Sequence, residues 1–534
     1  MKRSLPAAAT GVLAGALTLG VATLLAGLVS RMGAAGGVAS PVLAVGSAFV
    51  DRTPPWLKNL AISTFGTHDK QALFVGMALV LLIGCALVGV LARRRIRLAL
   101  LVFAALTAVG LGAVLTRPHA SAIDAVPTVA GAWAGMWALS KQWQWRSSTV
   151  ALADDSPDDN SGGDDSRGDA WRPASGAGHA VDRRHVVVGS AGIAAAAVGT
   201  AAIGQGVGGK AASVAQARAS VRVPVVAEPV RVPAGASLHV PGISPYVVPA
   251  ADFYRIDTAL VVPQIDSSGW RLRVHGMVGR EVTLDWETLL SKPMKQAMVT
   301  LTCVSNEVGG DLIGNAVWTG WPIRDLLAMA SPQAGADMVL STSADGWSAG
   351  TPLTALTDAR DALLVVAMNG QPLPVEHGFP VRMVVPGLYG YVSATKWVTD
   401  LEVTRFADAQ GYWTPRGWSA RGPIKTESRI DVPRSGARVK AGRVAVAGVA
   451  WAQHRGITAV EVRIDNQPWK RATLALEPTI DAWRQWVLPW RATRGSHTIT
   501  VRATDGTGTV QTPHHAPPEP DGATGWHTIT VSVD

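Results

Sequence analysis

Cysteine is scarce in this sequence of 534 residues, which contains only Cys85 and Cys303. Beyond residue 205 Cys303 stands alone, so this region can form neither an intramolecular disulfide nor a zinc or iron–sulfur site that requires several cysteines. The roles that remain for Cys303 are a nucleophile, a single ligand to a soft metal centre, or a small buried side chain. Residue type alone favours the buried role, since free cysteine is among the most buried residue types.

Histidine is missing from the first four of the five apolar segments that we predict to be membrane helices. The segments cover residues 7–28, 71–92, 98–115, 125–139 and 186–203. The second is the clearest because it is long and uncharged, whereas the fourth is short and contains Pro127. A membrane domain that holds haem needs axial ligands, usually histidine, within its helices. We therefore expect these helices to anchor the chain rather than to form a haem-b quinone reductase.

Clusters of basic residues flank these segments and predict their orientation. Lys2 and Arg3 precede the first helix, residues 93–97 contain four arginines, and Arg183 and Arg184 precede the fifth helix. Basic residues stay on the cytoplasmic side, and five helices place all three clusters there. We therefore expect a multi-pass protein of the cytoplasmic membrane whose soluble part, after the fifth helix, lies on the extracytoplasmic side.

Arg183 and Arg184 have two interpretations. Because they precede a Gly/Ala-rich apolar helix, they resemble a twin-arginine export signal that is retained as an anchor. Such export would carry a folded domain across the membrane, as is needed when a cofactor is inserted in the cytoplasm. A simple positive-inside flank would need no more than the same two residues, so both interpretations stay open.

The net charge of +9 does not indicate a nucleic-acid partner. Part of this charge is membrane-flanking arginine, and no Lys/Arg-rich run with interleaved aromatic residues occurs in the soluble part. Between the fourth and fifth helices, residues 154–165 contain repeated aspartates and few apolar side chains. We expect these residues to be disordered, within an acidic cytoplasmic linker over residues 140–182.

Composition and periodicity divide the chain into four parts. These are a membrane domain over residues 1–205, an Ala/Gly/Val/Pro-rich extracytoplasmic linker over residues 206–244, a mixed α+β domain over residues 245–423, and an all-β domain over residues 424–534. In the mixed domain the patterns predict strands over residues 270–278, 299–303 and 381–385, and helices over residues 285–291 and 321–330.

The last part of the chain consists of short segments in which apolar and polar residues alternate. The sequence His-Thr-Ile-Thr-Val occurs twice, at residues 497–501 and 527–531, and turn pairs such as Asp505-Gly506 separate the segments. A run of about 110 residues with this pattern predicts an immunoglobulin-like β-sandwich.

Three stretches of the soluble part carry a resemblance. The first comprises residues 253–258 and 270–276. The second comprises Leu301-Thr302-Cys303, Asn306 and residues 318–327. The third runs from His377 to Gly387, begins with His-Gly-Phe-Pro-x-Arg, and continues to Lys396-Trp397. In this order and at this spacing they resemble the sulfite oxidase family of molybdopterin-dependent oxidoreductases, over about residues 245–534. The resemblance implies an α+β molybdopterin-binding domain, Mo-molybdopterin as cofactor, and a C-terminal immunoglobulin-like domain that forms dimers.

The same resemblance implies the site residues. Cys303 would be the thiolate ligand of molybdenum, and Asn306 would belong to the same catalytic site. Because a thiolate ligand is deprotonated, the metal itself would lower the pKa of this thiol. The implied cofactor-binding residues are Tyr254, Arg255, Asp345, His377, Arg382, Ser393 and Lys396.

The chemistry of these residues suits a pterin phosphate. Arg382 offers a planar fork of donors, while His377 and Lys396 are further donors and Ser393 supplies a hydroxyl. Asp345 is less specific, because it precedes Gly346 and could equally be a turn residue.

Two departures from the family pattern bear on the substrate. Sulfite-oxidising members have the pattern Cys-x-x-Asn-Arg-Arg, whereas Glu307 and Val308 follow Asn306 here, so a dianion would lose its counter-charge. The family also places a tyrosine near the metal, whereas this chain offers Trp413, Arg416, Trp418 and Arg421 around residues 412–422. We therefore expect a molybdenum centre but not sulfite as its substrate.

These inferences favour a membrane-anchored, extracytoplasmic oxidoreductase that transfers an oxygen atom to or from a small molecule. A sulfoxide reductase, similar to the family's methionine sulfoxide reductases, is the first alternative. A metal-free binding or scaffold protein and a cysteine hydrolase with Cys303 as nucleophile are the others. The expected partners are a small oxo-donor or oxo-acceptor, a separate cytochrome or quinone-linked redox protein, membrane lipid, and a second copy of the chain.

Overall fold

The computed structural model describes residues 5–32, 38–54, 57, 64, 69–117, 120–154, 188, 190–200 and 210–534. It divides the chain into two compact units, an N-terminal unit of residues 1–210 and a C-terminal unit of residues 211–534. The predicted acidic segment over residues 155–182, together with Arg183 and Arg184, lies outside the described residues.

The N-terminal unit is helical. Its helices are α1 (Leu5–Arg31), α2 (Pro41–Arg52), α3 (Asp69–Arg94), α4 (Ile96–Leu115), α5 (Ala122–Asp154) and the short apolar α6 (Ser190–Thr200). Among the described residues, three spans are long and apolar enough to cross a membrane, namely Pro6–Ser30, Lys70–Arg94 and Ile96–Leu115. These correspond to the first three predicted segments. A total of five membrane helices stays a prediction.

Helix α5 extends into the expected acidic linker. It contains the fourth predicted segment and continues to Asp154, so residues 140–154 of that linker are helical. The physical reason is that residues 136–154 contain no glycine or proline and include several strong helix formers. Pro127 is the sixth residue of the helix and has no backbone N–H to donate to the preceding turn.

Small residues allow close packing of these helices. A Cβ added to Gly11 of α1 would lie 2.6 Å from the backbone nitrogen of Gly89 in α3, and one added to Gly135 of α5 would lie 2.9 Å from the carbonyl oxygen of Ala14. Close contacts through glycine are typical of helices that associate within a bilayer, where burial of apolar surface offers no driving force.

The first part of the C-terminal unit contains four helices and ten strands. The helices are α7 (Lys210–Ser220), α8 (Trp286–Leu290), α9 (Ile323–Ala330) and α10 (Leu353–Thr357). The strands are β1 (Arg271–Gly276), β2 (Val282–Asp285), β3 (Lys295–Thr302), β4 (Ile313–Pro322), β5 (Met338–Ser343), β6 (Ser348–Pro352), β7 (Leu363–Met368), β8 (Gln371–Pro372), β9 (Arg382–Val384) and β10 (Val398–Thr404). One sheet has the order β2-β1-β10-β5-β6, and the other has the order β3-β4-β7-β8 with β9 paired to β7.

The predicted elements of this part occur with shifted ends. In β1, Leu272 and Val274 are buried while Arg271 and Arg273 are exposed, as the alternation predicts. Helix α9 buries the face that contains Leu326.

The linker expected over residues 206–244 is wrong in part. Residues 210–220 form α7, and the Nε of Arg218 donates to the carbonyl oxygen of Leu373 at 2.7 Å. Further on, the backbone N–H of Leu238 donates to the Oε1 of Gln485. Both hydrogen bonds join this stretch to residues far along the chain, so it packs within the C-terminal unit. Its sequence has no clear apolar period, and local pattern therefore did not reveal this packing.

The last part of the chain is all β. Its strands are β11 (Glu427–Val432), β12 (Arg438–Val439), β13 (Gly442–Trp451), β14 (Ile457–Ile464), β15 (Lys470–Arg471), β16 (Thr473–Leu474), β17 (Arg484–Ala492), β18 (Gly495–Asp505) and β19 (His527–Val533). They form two sheets, β11-β13-β17-β16 and β12-β19-β18-β14-β15, whose buried residues share one hydrophobic cluster. The two copies of His-Thr-Ile-Thr-Val pair with each other as antiparallel β18 and β19, with Ile499 opposite Ile529. The immunoglobulin-like assignment and the boundary near residue 423 stay predictions.

Candidate active site

Cys303 follows directly after β3, at the start of a loop that we call the cysteine loop (residues 303–310). The preceding strand is buried from Ala297 to Thr302, so the chain delivers the thiol from the interior. The backbone N–H of Cys303 donates to the carbonyl oxygen of Leu312 at 2.9 Å, and the N–H of Asn306 donates to the carbonyl oxygen of Cys303 at 3.1 Å. These bonds fix the turn that brings Asn306 back toward the thiol.

The environment of the Cys303 sulfur opposes a free thiolate. Burial raises the pKa of the Cys303 thiol, although the neighbouring backbone N–H and hydroxyl of Ser305 act to lower it. Reactive nucleophilic cysteines have lowered pKa values, so this environment argues against a cysteine hydrolase. A bound metal ion would reverse the balance, because coordination deprotonates the thiol.

Asn306 presents a polar group that the chain does not satisfy. Its Oδ1 accepts from the backbone N–H of Leu312 at 2.8 Å. Its Nδ2 is buried and, among the described residues, has no hydrogen-bond partner. Because a buried unsatisfied donor costs free energy, this amide is suited to a ligand that can accept its hydrogen bond.

Arg382 is a buried cation, with only 4% of its surface exposed. Its Nη1 donates to the carbonyl oxygen of His377 at 3.1 Å, and its guanidinium carbon lies 5.1 Å from the centre of the Trp318 ring. In the described part of the chain, no carboxylate lies within salt-bridge distance of it. Burial lowers the pKa of Arg382 to about 10, so it is protonated at neutral pH. A buried charge of this kind requires a counter-ion, which a phosphate group would supply.

His377 lies beside Arg382 and is neutral. Its Nε2 is 3.0 Å from the carbonyl oxygen of Ala250, which makes Nε2 the protonated nitrogen. Burial first, and then the charges of Arg382 and Lys396, lower the pKa of His377 to about 4. An anion bound among these groups would raise that pKa again, which is the behaviour expected of a phosphate-binding cluster.

Lys396 is held by a carboxylate that the sequence patterns do not single out. Its Nζ donates to Asp257 Oδ2 at 3.0 Å and to the carbonyl oxygen of Glu376 at 3.0 Å. Asp257 Oδ2 also accepts from the Nε of Arg255 at 2.9 Å, so the carboxylate joins two of the predicted cofactor-binding residues. Burial lowers the pKa of Lys396 to about 8, and Asp257 opposes this shift.

Gly378 explains why glycine follows histidine in the His-Gly-Phe-Pro-x-Arg stretch. Its φ is +112°, and an added Cβ would lie 3.0 Å from the Cβ of Arg382 and 3.2 Å from the Cβ of Lys396. The absence of a side chain therefore lets the loop pack closely against the first side-chain carbons of Arg382 and Lys396.

Tyr254 connects the thiol to this cationic cluster. Its ring stacks on Phe253 with centroids 5.2 Å apart, and the edge of Phe253 faces His377 at 5.7 Å. Burial raises the pKa of the Tyr254 hydroxyl, the neighbouring Cys303 raises it further, and Arg382 lowers it. The three side chains are thus within electrostatic range of one another, as the resemblance implies.

Ser393 and Asp345 are engaged within the protein. The Ser393 hydroxyl is buried and donates to the carbonyl oxygens of Leu388 and Tyr389. Asp345 accepts from the backbone N–H of Trp347 at 3.1 Å in the turn between β5 and β6, which matches the turn interpretation. Their role in cofactor binding stays a prediction.

Residues of the C-terminal sheets hold the cysteine loop in place. Arg429 of β11 donates from Nη1 to the carbonyl oxygen of Gly310 at 2.7 Å, and a Cβ on Gly309 would lie 2.4 Å from the ring of His527. Gln453 donates to the hydroxyl of Thr302 at 3.0 Å. These contacts join segments far apart in sequence, and no local pattern could have revealed them.

Comparison with known proteins agrees with this geometry. Residues 259–413 match the family described as oxidoreductase molybdopterin binding domain. The uncharacterized oxidoreductase YuiH of Bacillus subtilis is 33% identical over 157 residues, which are 29% of this chain and 76% of that protein. The chain belongs to the sulfite oxidase family of molybdopterin-dependent oxidoreductases. As a member of the sulfite oxidase family it takes the molybdenum cofactor, and a metal-free scaffold is thereby set aside.

The sulfite oxidases are matched over only part of their length. Mitochondrial sulfite oxidase of Homo sapiens is 31% identical over 323 residues, which are 51% of this chain and 58% of that enzyme. The chain therefore spans less than two thirds of that relative. Among solved structures, the sulfane dehydrogenase SoxCD from Paracoccus pantotrophus has a TM-score of 0.48 at 21% identity and covers 57% of this chain and 87% of that one.

The residues present fit the cofactor. Arg382 is a buried cation without a carboxylate partner among the described residues, and Asn306 has a buried amide nitrogen without a partner among them. Cys303 is the one thiol of the C-terminal unit. These features suit a group that needs a thiolate ligand for its metal and a counter-charge for its phosphate.

Proposed function

We propose that the chain is a membrane-anchored oxidoreductase whose C-terminal unit lies outside the cytoplasm and performs oxygen-atom transfer on a small substrate. The observation that carries this proposal is that the same domain buries a single thiol, Cys303, and a cation, Arg382, that has no carboxylate partner among the described residues. The three apolar helices of the N-terminal unit support the anchor. The positions of the basic residues support the orientation.

When bound, the molybdenum cofactor supplies a centre that gives or takes an oxygen atom together with two electrons. The chain supplies the rest. Cys303 acts as the thiolate ligand, and the neighbouring backbone N–H and hydroxyl of Ser305 favour the negative charge on its sulfur. Arg382 neutralises the cofactor phosphate with its forked donors. The Asn306 amide, which has no hydrogen-bond partner among the described residues, orients a group bound beside Cys303.

The charge beside the thiol bears on the substrate class. Glu307 is exposed and Val308 is half-buried in the cysteine loop, where the sulfite-oxidising pattern has two arginines. A carboxylate at this position repels a dianion and tolerates a neutral molecule. We therefore propose a neutral oxo-donor or oxo-acceptor. Reduction of a sulfoxide, such as methionine sulfoxide, is the second candidate direction.

A separate cytochrome or quinone-linked protein would exchange the electrons, and the all-β part would form the dimer contact.

Two assays on the purified full chain test the substrate proposal. One follows sulfite oxidation with an artificial electron acceptor, and the other follows methionine sulfoxide reduction with a reduced viologen dye. We expect sulfite turnover to be weak in the native chain and the KM for sulfite to fall in the double variant Glu307→Arg, Val308→Arg. The exposed Glu287 of α8 provides the control variant Glu287→Arg, which makes the same change of charge as Glu307→Arg alone but away from the cysteine loop. The same KM for sulfite in the native chain and in the double variant would contradict the proposal.

A further inference from the structure

A pocket of about 360 Å³ lies between helices α4 and α5 of the N-terminal unit. Leu100 of α4 forms one wall, and a single stripe of α5, including Trp133, Trp137, Ser140 and Lys141, forms the other. The stripe follows from helical spacing, because residues three, four, seven and eight positions apart share a face. None of the residues that line the pocket carries a carboxylate.

The two tryptophans of the stripe are unusually exposed for this residue type. Trp133 is 69% exposed and Trp137 is 47% exposed, so neither packs into the helix bundle. Tryptophan side chains that face outward from apolar helices concentrate at the level of lipid headgroups, where the ring is partly apolar and the N–H is hydrated. The stripe therefore marks the headgroup level of a leaflet, with Lys141 on its polar side.

The packing of α4 against α5 shows which end of the bundle this is. Gly110 faces Thr128 and Gly135 faces Phe103, so the two helices run antiparallel. Six residues beyond the contact of Gly135 with Phe103, Arg97 of α4 lies level with Lys141 of α5. Residues 93–95, which are three exposed arginines, come directly before α4 and lie at the same end. The pocket thus opens at the most basic edge of the N-terminal unit.

We propose that this pocket binds the headgroup of an anionic phospholipid of the cytoplasmic leaflet. Lys141 and Arg97 hold the phosphate, and Ser140 can donate to one of its oxygens. Trp133 and Trp137 flank the start of the acyl chains. Charge complementarity selects an anionic lipid, because Lys141 lines a pocket without a carboxylate and Arg97, one turn before Leu100 on α4, lies at the same level. The inference rests on the proposed membrane anchor.

Native mass spectrometry of the full chain, extracted from nanodiscs with equal amounts of phosphatidylglycerol and phosphatidylcholine, tests the site. We expect the wild-type chain to retain phosphatidylglycerol selectively. Lys141→Gln should reduce this retention about fivefold, since each cation near an anionic headgroup changes the binding constant by about that factor. Trp137→Leu should reduce it as well, through the loss of contact with the acyl chains.

Two matched variants distinguish the pocket from general attraction to the basic surface. Lys70→Gln removes a cation at the start of α3, the opposite end of that helix from Arg93 and Arg94, and Trp143→Leu removes an exposed tryptophan of α5 outside the pocket. Both should retain the lipid as the wild type does. Equal losses in Lys141→Gln and Lys70→Gln, or equal retention of the two lipids by the wild type, would overturn the proposal.

A separate measurement distinguishes failure of the pocket from failure of the anchor. Sedimentation of the full chain with membranes, and its resistance to extraction by alkaline carbonate, reports the anchor alone. Extraction of the wild-type chain as a soluble protein would contradict both proposals. Firm membrane association with a lipid selectivity that Lys141→Gln and Trp137→Leu leave unchanged would contradict only the lipid site.

Discussion

The Nζ of Lys396 lies 3.0 Å from the Oδ2 of Asp257, and both side chains are almost entirely buried, with 11% and 6% of their surfaces exposed. Asp257 also binds Arg255, so one carboxylate neutralises two cations of the candidate cofactor site. Arg382 has no such partner among the described residues. Arg255 and Lys396 therefore have a counter-charge within the protein, whereas Arg382 is available to a bound anion.

Removal of the Asp257 charge should destabilise the C-terminal unit. We expect Asp257→Asn to lower the free energy of unfolding by about 3 kcal/mol, because it leaves Lys396 buried without a counter-charge. The free energy of unfolding is measured by denaturant titration of the full chain, purified from molybdate-starved cells. The exposure of the Cys303 thiol to a thiol reagent, in a Cys85→Ala background, monitors unfolding. Asp361→Asn is the matched control, since it removes the more exposed Lys295–Asp361 pair and should cost less than about 1 kcal/mol. Equal costs would contradict the assigned role of Asp257.

Replacement of Arg382 should reduce cofactor binding more than stability. We expect Arg382→Lys to lower the pterin content about tenfold, because lysine keeps the charge but loses the forked donors. The fluorescence of oxidised pterin released from the full chain measures the content. Arg280→Lys, at an exposed arginine that donates to the carbonyl oxygen of Met329, should leave the content unchanged.

A side chain at Gly378 should disturb both cations. Gly378→Ala adds a Cβ at 3.0 Å from the Cβ of Arg382 at a φ of +112°. Gly370 also has a positive φ, but a Cβ there meets no atom within 4 Å, so Gly370→Ala isolates the backbone cost of about 1 kcal/mol. We expect Gly378→Ala to lose more stability than this control and to lose pterin content. A loss no larger than that of Gly370→Ala would show that the close approach is unimportant.

Glu427 should give the C-terminal unit a distinctive dependence on pH. Burial raises the pKa of this carboxyl to about 8, although Lys425 opposes the shift. The folded state therefore holds a proton that the unfolded state releases near its ordinary pKa, so the stability contributed by protonated Glu427 is present at low pH and is lost as the pH rises toward about 8. Glu427→Gln should flatten this decline and be more stable than wild type near pH 8. Thermal unfolding of both chains across this range checks it.

The sequence predicts the parts of the site that come from contiguous motifs. The strands that end before Cys303 and begin at Arg382 were predicted from their apolar patterns, while the cofactor roles of these residues stay predictions. Asp257 was missed although it lies in the first stretch, since a single acid among cations has no distinctive pattern. Arg429 and Gln453 could not be predicted, because only tertiary packing brings them to the cysteine loop.

Helix ends and linkers were predicted less well. Residues 140–154 and 210–220 are helical because local propensity and distant hydrogen-bond partners outweigh the low apolar periodicity that indicated linkers. Asp345 lies in a turn, where its carboxylate accepts from the backbone N–H of Trp347, and its contact with the cofactor stays a prediction.

X-ray absorption at the molybdenum edge of the full chain tests the central claim most directly, because it counts the sulfur atoms bound to the metal. The account predicts that Cys303→Ser, which is nearly isosteric, folds as the wild type does, loses oxygen-atom transfer, and has one sulfur fewer at molybdenum. The same number of sulfur ligands in both proteins, with turnover unchanged, would contradict the assignment of Cys303 as the metal ligand.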